Sequence, residues 1–319
     1  MAAAKAAIEV NVKHSEKYKI TNLGTAHQFL AIEIHRDGTG VSLGQKANIT
    51  TILGRFGMGQ IHGFSTPMDC NLQLDLAEDR SAKELEDITD YQAVLGSIMY
   101  AALATRPDIS YAVAALSRYN SRPFTSHMTA AKRVLQYLKC TANFRLYFTG
   151  NGIGIGIGIG IGNSLVGYSD SDWATDSADR KSHRGHVVLA SHGAISWQSR
   201  KQNPSAMSTL EAEFIACSEA SRDAKWLLQL QQDIHGSQKD SPLLPINCDN
   251  QSALTLITTG IVKTRTKHIN VRYHNSRDLH RRQIVNYSYR KTNENMADIL
   301  TKALTKDKHT KFTKAMGFW

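Results

Sequence analysis

The strictest constraint on the fold is a repeat. From Asn151 to Asn163 glycine and isoleucine alternate residue by residue. Alternation at period two would place every isoleucine on one face of a strand. Glycine at every second position, however, raises the entropic cost of ordering such a strand and leaves it little to pack. Residues 151–163 are therefore expected to act as a linker, dividing the 319-residue chain into an N-terminal module (1–150) and a C-terminal module (164–319). With 41% apolar residues, both modules can build a core.

Charge narrows the partners. A formal net charge of +10 favours an anionic partner, and nucleic acid is the commonest one. No stretch approaches the roughly 20 apolar residues of a membrane span, so no membrane partner is expected. The opening Met1-Ala-Ala-Ala-Lys-Ala-Ala lacks the apolar core of a secretory signal. An intracellular protein, cytoplasmic or nuclear, is expected. Cys70, Cys140, Cys217 and Cys248 show neither Cys-x-x-Cys pairing nor zinc spacing and are expected as buried free thiols.

The N-terminal module reads as a mostly helical block with one hairpin. Phe29–His35 and Val41–Leu43 flank Arg36-Asp-Gly-Thr-Gly40, whose Asp-Gly is a turn signal. Helices are expected over 46–56, 87–103, 109–119 and 126–138, with Tyr91, Leu95, Ile98 and Ala102 on one face of the second. The C-terminal module alternates: strands at 165–170, 185–190 and 194–197, a long helix at 208–235, and a strand at 246–249. A helix at 268–281, a strand at 284–289 and a last helix from about Asn295 follow. Ser208 with Glu211 fits a helix-capping box, and Cys217, Ala220, Ala224, Leu227 and Ile234 lie near one face of the long helix. The layout is an α/β fold with a mixed sheet.

Acidic residues stand at element ends in this module. The apolar run Leu165-Val-Gly-Tyr-Ser-Asp170-Ser-Asp172 ends in two carboxylates. Glu213 follows in Leu210-Glu-Ala-Glu-Phe214, Asp249 in Asn247-Cys-Asp-Asn-Gln251, and Asp298 in Asn293-Glu-Asn-Met-Ala-Asp298. Such acids suit Mg²⁺, a hard cation that prefers carboxylate and water ligands. Four crowded carboxylates repel one another unless cations sit between them, which is the arrangement of a two-metal phosphodiesterase.

Several strings together resemble one family. Tyr168-Ser-Asp-Ser-Asp-Trp-Ala174, Asp179-Arg-Lys-Ser182, Ile195-Ser-Trp197, Ser199-Arg-Lys-Gln202, Glu211-Ala-Glu-Phe214 and Cys248-Asp-Asn-Gln-Ser-Ala253 resemble the ribonuclease H domain of copia-type LTR retrotransposon polyproteins. So do Thr264-Arg-Thr-Lys-His-Ile269, Arg272-Tyr-His274 and Ala297-Asp-Ile-Leu-Thr-Lys-Ala-Leu304, in the family's order. Upstream, Phe29-Leu-Ala-Ile-Glu33 resembles the primer-grip hairpin of the same polyprotein's reverse transcriptase, with Ala31 where the family usually has glycine. Thr105-Arg-Pro-Asp-Ile-Ser-Tyr-Ala112 and Ala130-Ala-Lys-Arg-Val-Leu-Gln-Tyr-Leu-Lys139 resemble its thumb and connection. No Tyr-x-Asp-Asp strand precedes them, so polymerase activity is not expected.

The resemblance implies a ribonuclease H-like mixed sheet with flanking helices, preceded by a thumb and connection remnant. It implies Asp170, Glu213, Asp249 and Asp298 as catalytic metal ligands, Asp170 being preferred to Asp172 and Glu213 to Glu211. Two Mg²⁺ ions, or Mn²⁺ in their place, would serve hydrolysis of the RNA strand of an RNA–DNA hybrid. Arg200, Lys201, Lys263, Arg265 and Lys267 are candidate phosphate contacts, a solvated charge being the plainer reading of each, and a complete retrotransposon reverse transcriptase is an implied partner. The plainer readings are a solvated strand end for Asp170, a helix-dipole acid for Glu213, and helix caps for Asp249 and Asp298. Trp173 and Trp197 are expected to pack rather than stack on bases, and Lys306, Lys308, Lys311 and Lys314 to aid solubility. The competing function is a catalytically inactive nucleic-acid-binding relic.

Overall fold

The computed structural model describes residues 21, 24–72, 74, 83–149, 165–173, 181–202, 206, 208–235, 243–259 and 274–319. The Gly-Ile tract and the segment holding Lys263, Arg265, Lys267 and His268 lie outside the described residues.

The N-terminal strands form an antiparallel sheet in the order β1-β2-β3-β4: β1 (Gln28–Phe29), β2 (Ile32–Arg36), β3 (Gly40–Gly44) and β4 (Arg145–Thr149). The Asp-Gly turn joins β2 to β3 as expected. Asp37 Oδ1 accepts from the Thr39 and Gly40 amides at 2.8 and 3.0 Å. The expected continuous strand 29–35 is broken instead at Leu30 and Ala31, whose φ angles are 47° and 60°. A Cβ is costly in that left-handed region, by roughly 1–2 kcal/mol, so the position filled by Ala31 is one that glycine suits.

The helices are α1 (Lys46–Arg55), α2 (Thr89–Ala104), α3 (Ser110–Ser117, after a 3₁₀ turn at Pro107–Ile109) and α4 (Thr125–Cys140). Tyr91, Leu95, Ile98 and Ala102 are buried together on α2, and Tyr91 donates to Leu116 O at 2.7 Å, tying α2 to α3. Sequence periodicity misses β4, a short strand whose partners are distant in the chain.

The C-terminal sheet is mixed, in the order β7-β6-β5-β8-β9: β5 (Val166–Asp172), β6 (His183–Ala190), β7 (Gly193–Lys201), β8 (Leu244–Cys248) and β9 (Val285–Tyr289). β5, β6 and β7 pair antiparallel, whereas β5–β8 and β8–β9 pair parallel. With its flanking helices this is the expected ribonuclease H-like class. Alternation divides the sheet's side chains. Val188 packs with Phe214, Cys217, Ala220 and Ala224 of α5 (Thr209–His235), while Val187 and Leu189 pack with Leu300, Phe312 and Phe318. Small residues on α5 let it lie close to the strands. Ile234, expected on that buried face, is 62% exposed near the helix end. Two further helices, α6 (Gln251–Thr259) and α7 (His274–Arg281), pack on the α5 side.

The expected last helix does not begin near Asn295. Residues Met296–Leu300 form a 3₁₀ turn, and the helix, α8, spans Lys306–Ala315. All five side chains of the turn are buried, so it has no exposed face for an amphipathic α-helix to present. Asn295 closes it by accepting from the Ala297 amide at 3.3 Å.

The two halves share a core. Leu146 of β4 belongs to the cluster containing Val166, Phe312 and Phe318, and Tyr147 N donates to Gly317 O at 2.9 Å. A Cβ on Gly317 (φ +95°) would stand 2.8 Å from Gly193 Cα, so this crossing demands glycine. Arg106 is fully buried, donating to both Asp108 oxygens at 2.9 and 2.7 Å and to Thr141 O at 3.0 Å. The Phe144 and Phe318 rings flank its guanidinium. Burial alone would raise the Asp108 carboxyl; Arg106 and the Tyr137 hydroxyl override it and hold it below the usual range. The N-terminal module is thus covered along β4, though Phe29, Leu30 and Leu103 remain exposed. Cys217 and Cys248 are buried free thiols as expected, but Cys70 and Cys140 are exposed.

Candidate active site

Parallel pairing sets the site. β5 and β8 point their C-terminal ends the same way, so Asp170 near the end of β5 meets Asp249 just beyond β8. The 3₁₀ turn brings Asp298 across from the opposite layer. Oxygens of Asp170, Asp249 and Asp298 all lie within 4.8 Å of one another. Glu213 enters from the first part of α5 and groups with Asp249 and Cys248 within the same limit.

Each carboxylate is oriented by a neighbour. Thr301 Oγ1 donates to Asp170 Oδ2. The Ser171 amide donates to Glu213 Oε1 at 3.1 Å, and Thr292 Oγ1 to Asp249 Oδ2 at 2.7 Å. The helix after Asp249 is capped by Asn250, whose Oδ1 accepts from the Ala253 amide at 3.0 Å, and Asp249 is left to the cluster. Glu213 and Asp298 are likewise buried rather than solvated helix-end acids. Glu211 is the residue that serves the helix start, its amide bonded to Ser208 Oγ at 3.2 Å.

Two lysines meet these acids. Lys302 Nζ lies 3.1 Å from Asp298 Oδ1 and 3.9 Å from Asp170 Oδ2, and Lys308 Nζ pairs with Asp298 Oδ2. Lys308 therefore does more than aid solubility. Lys302 stands in a quoted motif, but nothing in its spacing marks it as a partner of Asp170.

Burial, reinforced by Asp298, raises the Asp170 carboxyl to about 7 despite Lys302 and Thr301. Burial followed by Asp170 lifts Glu213 well above the carboxylate range. Negative charge exceeds what the nearby cations satisfy. The donor set fits a divalent ion: it offers hard oxygens, and octahedral Mg²⁺ ligands at about 2.1 Å stand roughly 3–4 Å apart, a spacing compatible with oxygens that all lie within 4.8 Å of one another. Cys248 fits less well as a ligand. Its thiol is held protonated by the adjacent Cys217 thiol and by burial, and it donates to Glu213 Oε2 at 3.6 Å.

Basic candidates are placed unevenly. Arg200 and Lys201 end β7, which runs parallel to β5 through the intervening β6, so they reach the same sheet end as the carboxylates. Arg200 is exposed and Lys201 half-buried. Trp173, beside Asp172, is 44% exposed with its Nε1 donating to Ala206 O, and Trp197 is half-buried, donating to Ala102 O at 2.9 Å. Among the described residues no helix is long and apolar enough to cross a membrane.

No family model matches the chain. It is 36% identical over 299 residues to the retrovirus-related Pol polyprotein from transposon TNT 1-94 of Nicotiana tabacum, covering 92% of this chain and 22% of that one. It is 34% identical over 304 residues to the Pol polyprotein from transposon RE1 of Arabidopsis thaliana, covering 95% and 20%. The chain thus spans about a fifth of the length of these curated relatives. Among solved structures it is similar to LC11-RNase H1 in complex with RNA/DNA hybrid, at a TM-score of 0.32 and 14% identity, covering 43% of this chain and 94% of that one.

Proposed function

Since the chain belongs with the retrovirus-related Pol polyproteins of copia-type transposons, we propose that its C-terminal half is a ribonuclease H that hydrolyses the RNA strand of RNA–DNA hybrids. The observation that carries this reading is the convergence of Asp170, Asp249 and Asp298 oxygens within 4.8 Å. Asp170, Glu213, Asp249 and Asp298 would hold divalent cations, Mg²⁺ first and Mn²⁺ in its place. Such ions, when bound, lower the pKa of an attacking water and offset charge on the leaving oxygen.

The chain's own residues prepare that chemistry. Thr301, Ser171 and Thr292 fix the Asp170, Glu213 and Asp249 carboxylates before any ion arrives. Lys302 and Lys308 keep the crowded acids tolerable in the absence of metal and must yield as metal enters. Arg200 and Lys201 would take backbone phosphates, which position the duplex, while the ribose 2′-hydroxyl groups identify the RNA strand. Cleavage would leave a 3′-hydroxyl and a 5′-phosphate.

A second reading is favoured by the same lysines: a site whose ammonium groups never yield would bind hybrid without cleaving it. A hybrid carrying a fluorophore on its RNA strand separates the two. Mg²⁺-dependent cleavage lost in Asp249→Asn supports the nuclease. Salt-sensitive binding without turnover selects the binding protein.

A further inference from the structure

The sheet face that carries the carboxylates is not covered by the C-terminal half alone. Directly opposed residues on neighbouring strands share a face, and here two successive rows are defined. Asp170, Gly185 and Ser199 form one, and Asp172, His183 and Lys201 form the next. The 3₁₀ turn lies on the first row: Ser199 Oγ donates to Leu300 O at 2.7 Å, and a Cβ on Gly185 would meet Leu300 Cβ at 2.6 Å. Helix α3 of the N-terminal half lies on the second. The Tyr111 ring meets the His183 imidazole edge-on, with centroids 5.1 Å apart and planes at 81°. His183 in turn bonds Ser199 Oγ at 2.8 Å, so the two rows are joined through one hydrogen-bonded pair.

Arg118 follows from this placement. It caps α3 seven residues beyond Tyr111, two helical turns on and therefore on the same face. It is exposed, and its guanidinium lies 5.3 Å from the Tyr119 ring centroid. The residue opposed to His183 on β7 is Lys201, roughly 5 Å away along the pairing direction. His183 responds to this basic company. Burial first, then Arg118, Arg184 and Lys201, bring its pKa down to about 3, so it stays neutral between cations from both halves of the chain.

We infer that Arg118 is a phosphate-contacting residue of the nuclease, and that it forms with Lys201 a basic rim one row from Asp170. Tyr111 is the positioning residue that seats α3 on His183. The ligand is the sugar–phosphate backbone of a nucleic-acid duplex laid across the sheet end. Neutral His183 suits the arrangement, because it adds no charge of its own beside Arg118, Arg184 and Lys201. A substrate surface built this way explains a use for the N-terminal helices in a hydrolytic reaction whose carboxylates all lie elsewhere in the chain. The inference rests on the nuclease reading, and the experiment keeps their failures apart.

Binding of an RNA–DNA hybrid to the full chain is followed by fluorescence anisotropy over a range of salt concentrations, with Ca²⁺ in place of Mg²⁺. Cleavage with Mg²⁺ is scored in parallel. Each neutralised phosphate contributes about 0.9 to the slope of log K against log salt. Arg118→Ala should flatten that slope by about 0.9, and Arg118→Lys should restore it. A merely structural role would leave the slope unchanged. Unfolding monitored by circular dichroism checks that the variants fold, and Arg118→Gln replaces the alanine variant if that one does not. A wild-type chain that cleaves hybrid while Arg118→Ala keeps the wild-type slope overturns the role of Arg118 alone. A wild-type chain that neither binds nor cleaves hybrid overturns the nuclease reading and this inference with it.

Discussion

Among the described residues, the buried charges around Arg106 and those around Asp170 are built on opposite principles. Around Arg106 the charges close on themselves: one guanidinium meets both Asp108 oxygens, Tyr137 and Thr141 take the remaining positions, and aromatic rings surround them. Asp108 is held below the usual carboxylate range. Around Asp170 four acids gather, only Asp170 and Asp298 meet the two partly exposed lysines, and Asp170 and Glu213 are both pushed up. A balanced buried pair makes structure; an unbalanced one waits for a cation. The first cluster ties the two halves of the chain together, and the second lies at a sheet end with partly exposed lysines against its buried acids.

The largest effect expected from breaking this contrast is on the closed cluster. Arg106→Met leaves Asp108 buried without its partner and should cost about 3–5 kcal/mol of stability, read from chemical denaturation. Should the protein lose less than about 1 kcal/mol, the pair is not the clamp described.

At the open cluster the sign is reversed. Asp170 has its folded-state pKa raised from 3.8 to about 7, so folding is disfavoured progressively as pH rises from about 4 through 7 in metal-free buffer. Asp170→Asn should remove that loss, leaving the metal-free variant more stable than wild type above pH 7 by up to a few kcal/mol. Thermal unfolding at several pH values measures it, and a variant less stable at pH 8 would contradict the reading of the cluster as overcharged. The smallest effect belongs to Lys302, about a third exposed. Lys302→Met should lower metal-free stability by about 1 kcal/mol yet strengthen divalent-ion binding, because a competing cation has been removed. Weaker metal binding would instead make Lys302 a helper of the ion.

Much of this was legible in the sequence, for identifiable reasons. Asp170 and Asp249 were readable because short apolar runs ended on them, and the parallel β5–β8 pairing then had only one way to bring them together. Glu213 was separable from Glu211 by its helical context, and the structure gives the two different partners. Other features depend on contacts that no local pattern encodes. β4 is five residues long and pairs with β3 across about a hundred residues of chain. Asp298 was readable as an acid near an element start, but its turn is 3₁₀ because five consecutive side chains are buried from two sides. Lys302, Lys308 and Arg118 were invisible as site residues, since a lysine or arginine in sequence looks the same whether it faces water or a carboxylate.

The most direct test of the contrast is a Mn²⁺ titration followed by electron paramagnetic resonance, which reads free ion against bound. The wild-type chain should take up Mn²⁺, and Asp249→Asn should lose that uptake while keeping its fold. Equal uptake by both chains, or none by either, would contradict the assignment of Asp170, Glu213, Asp249 and Asp298 as one metal centre.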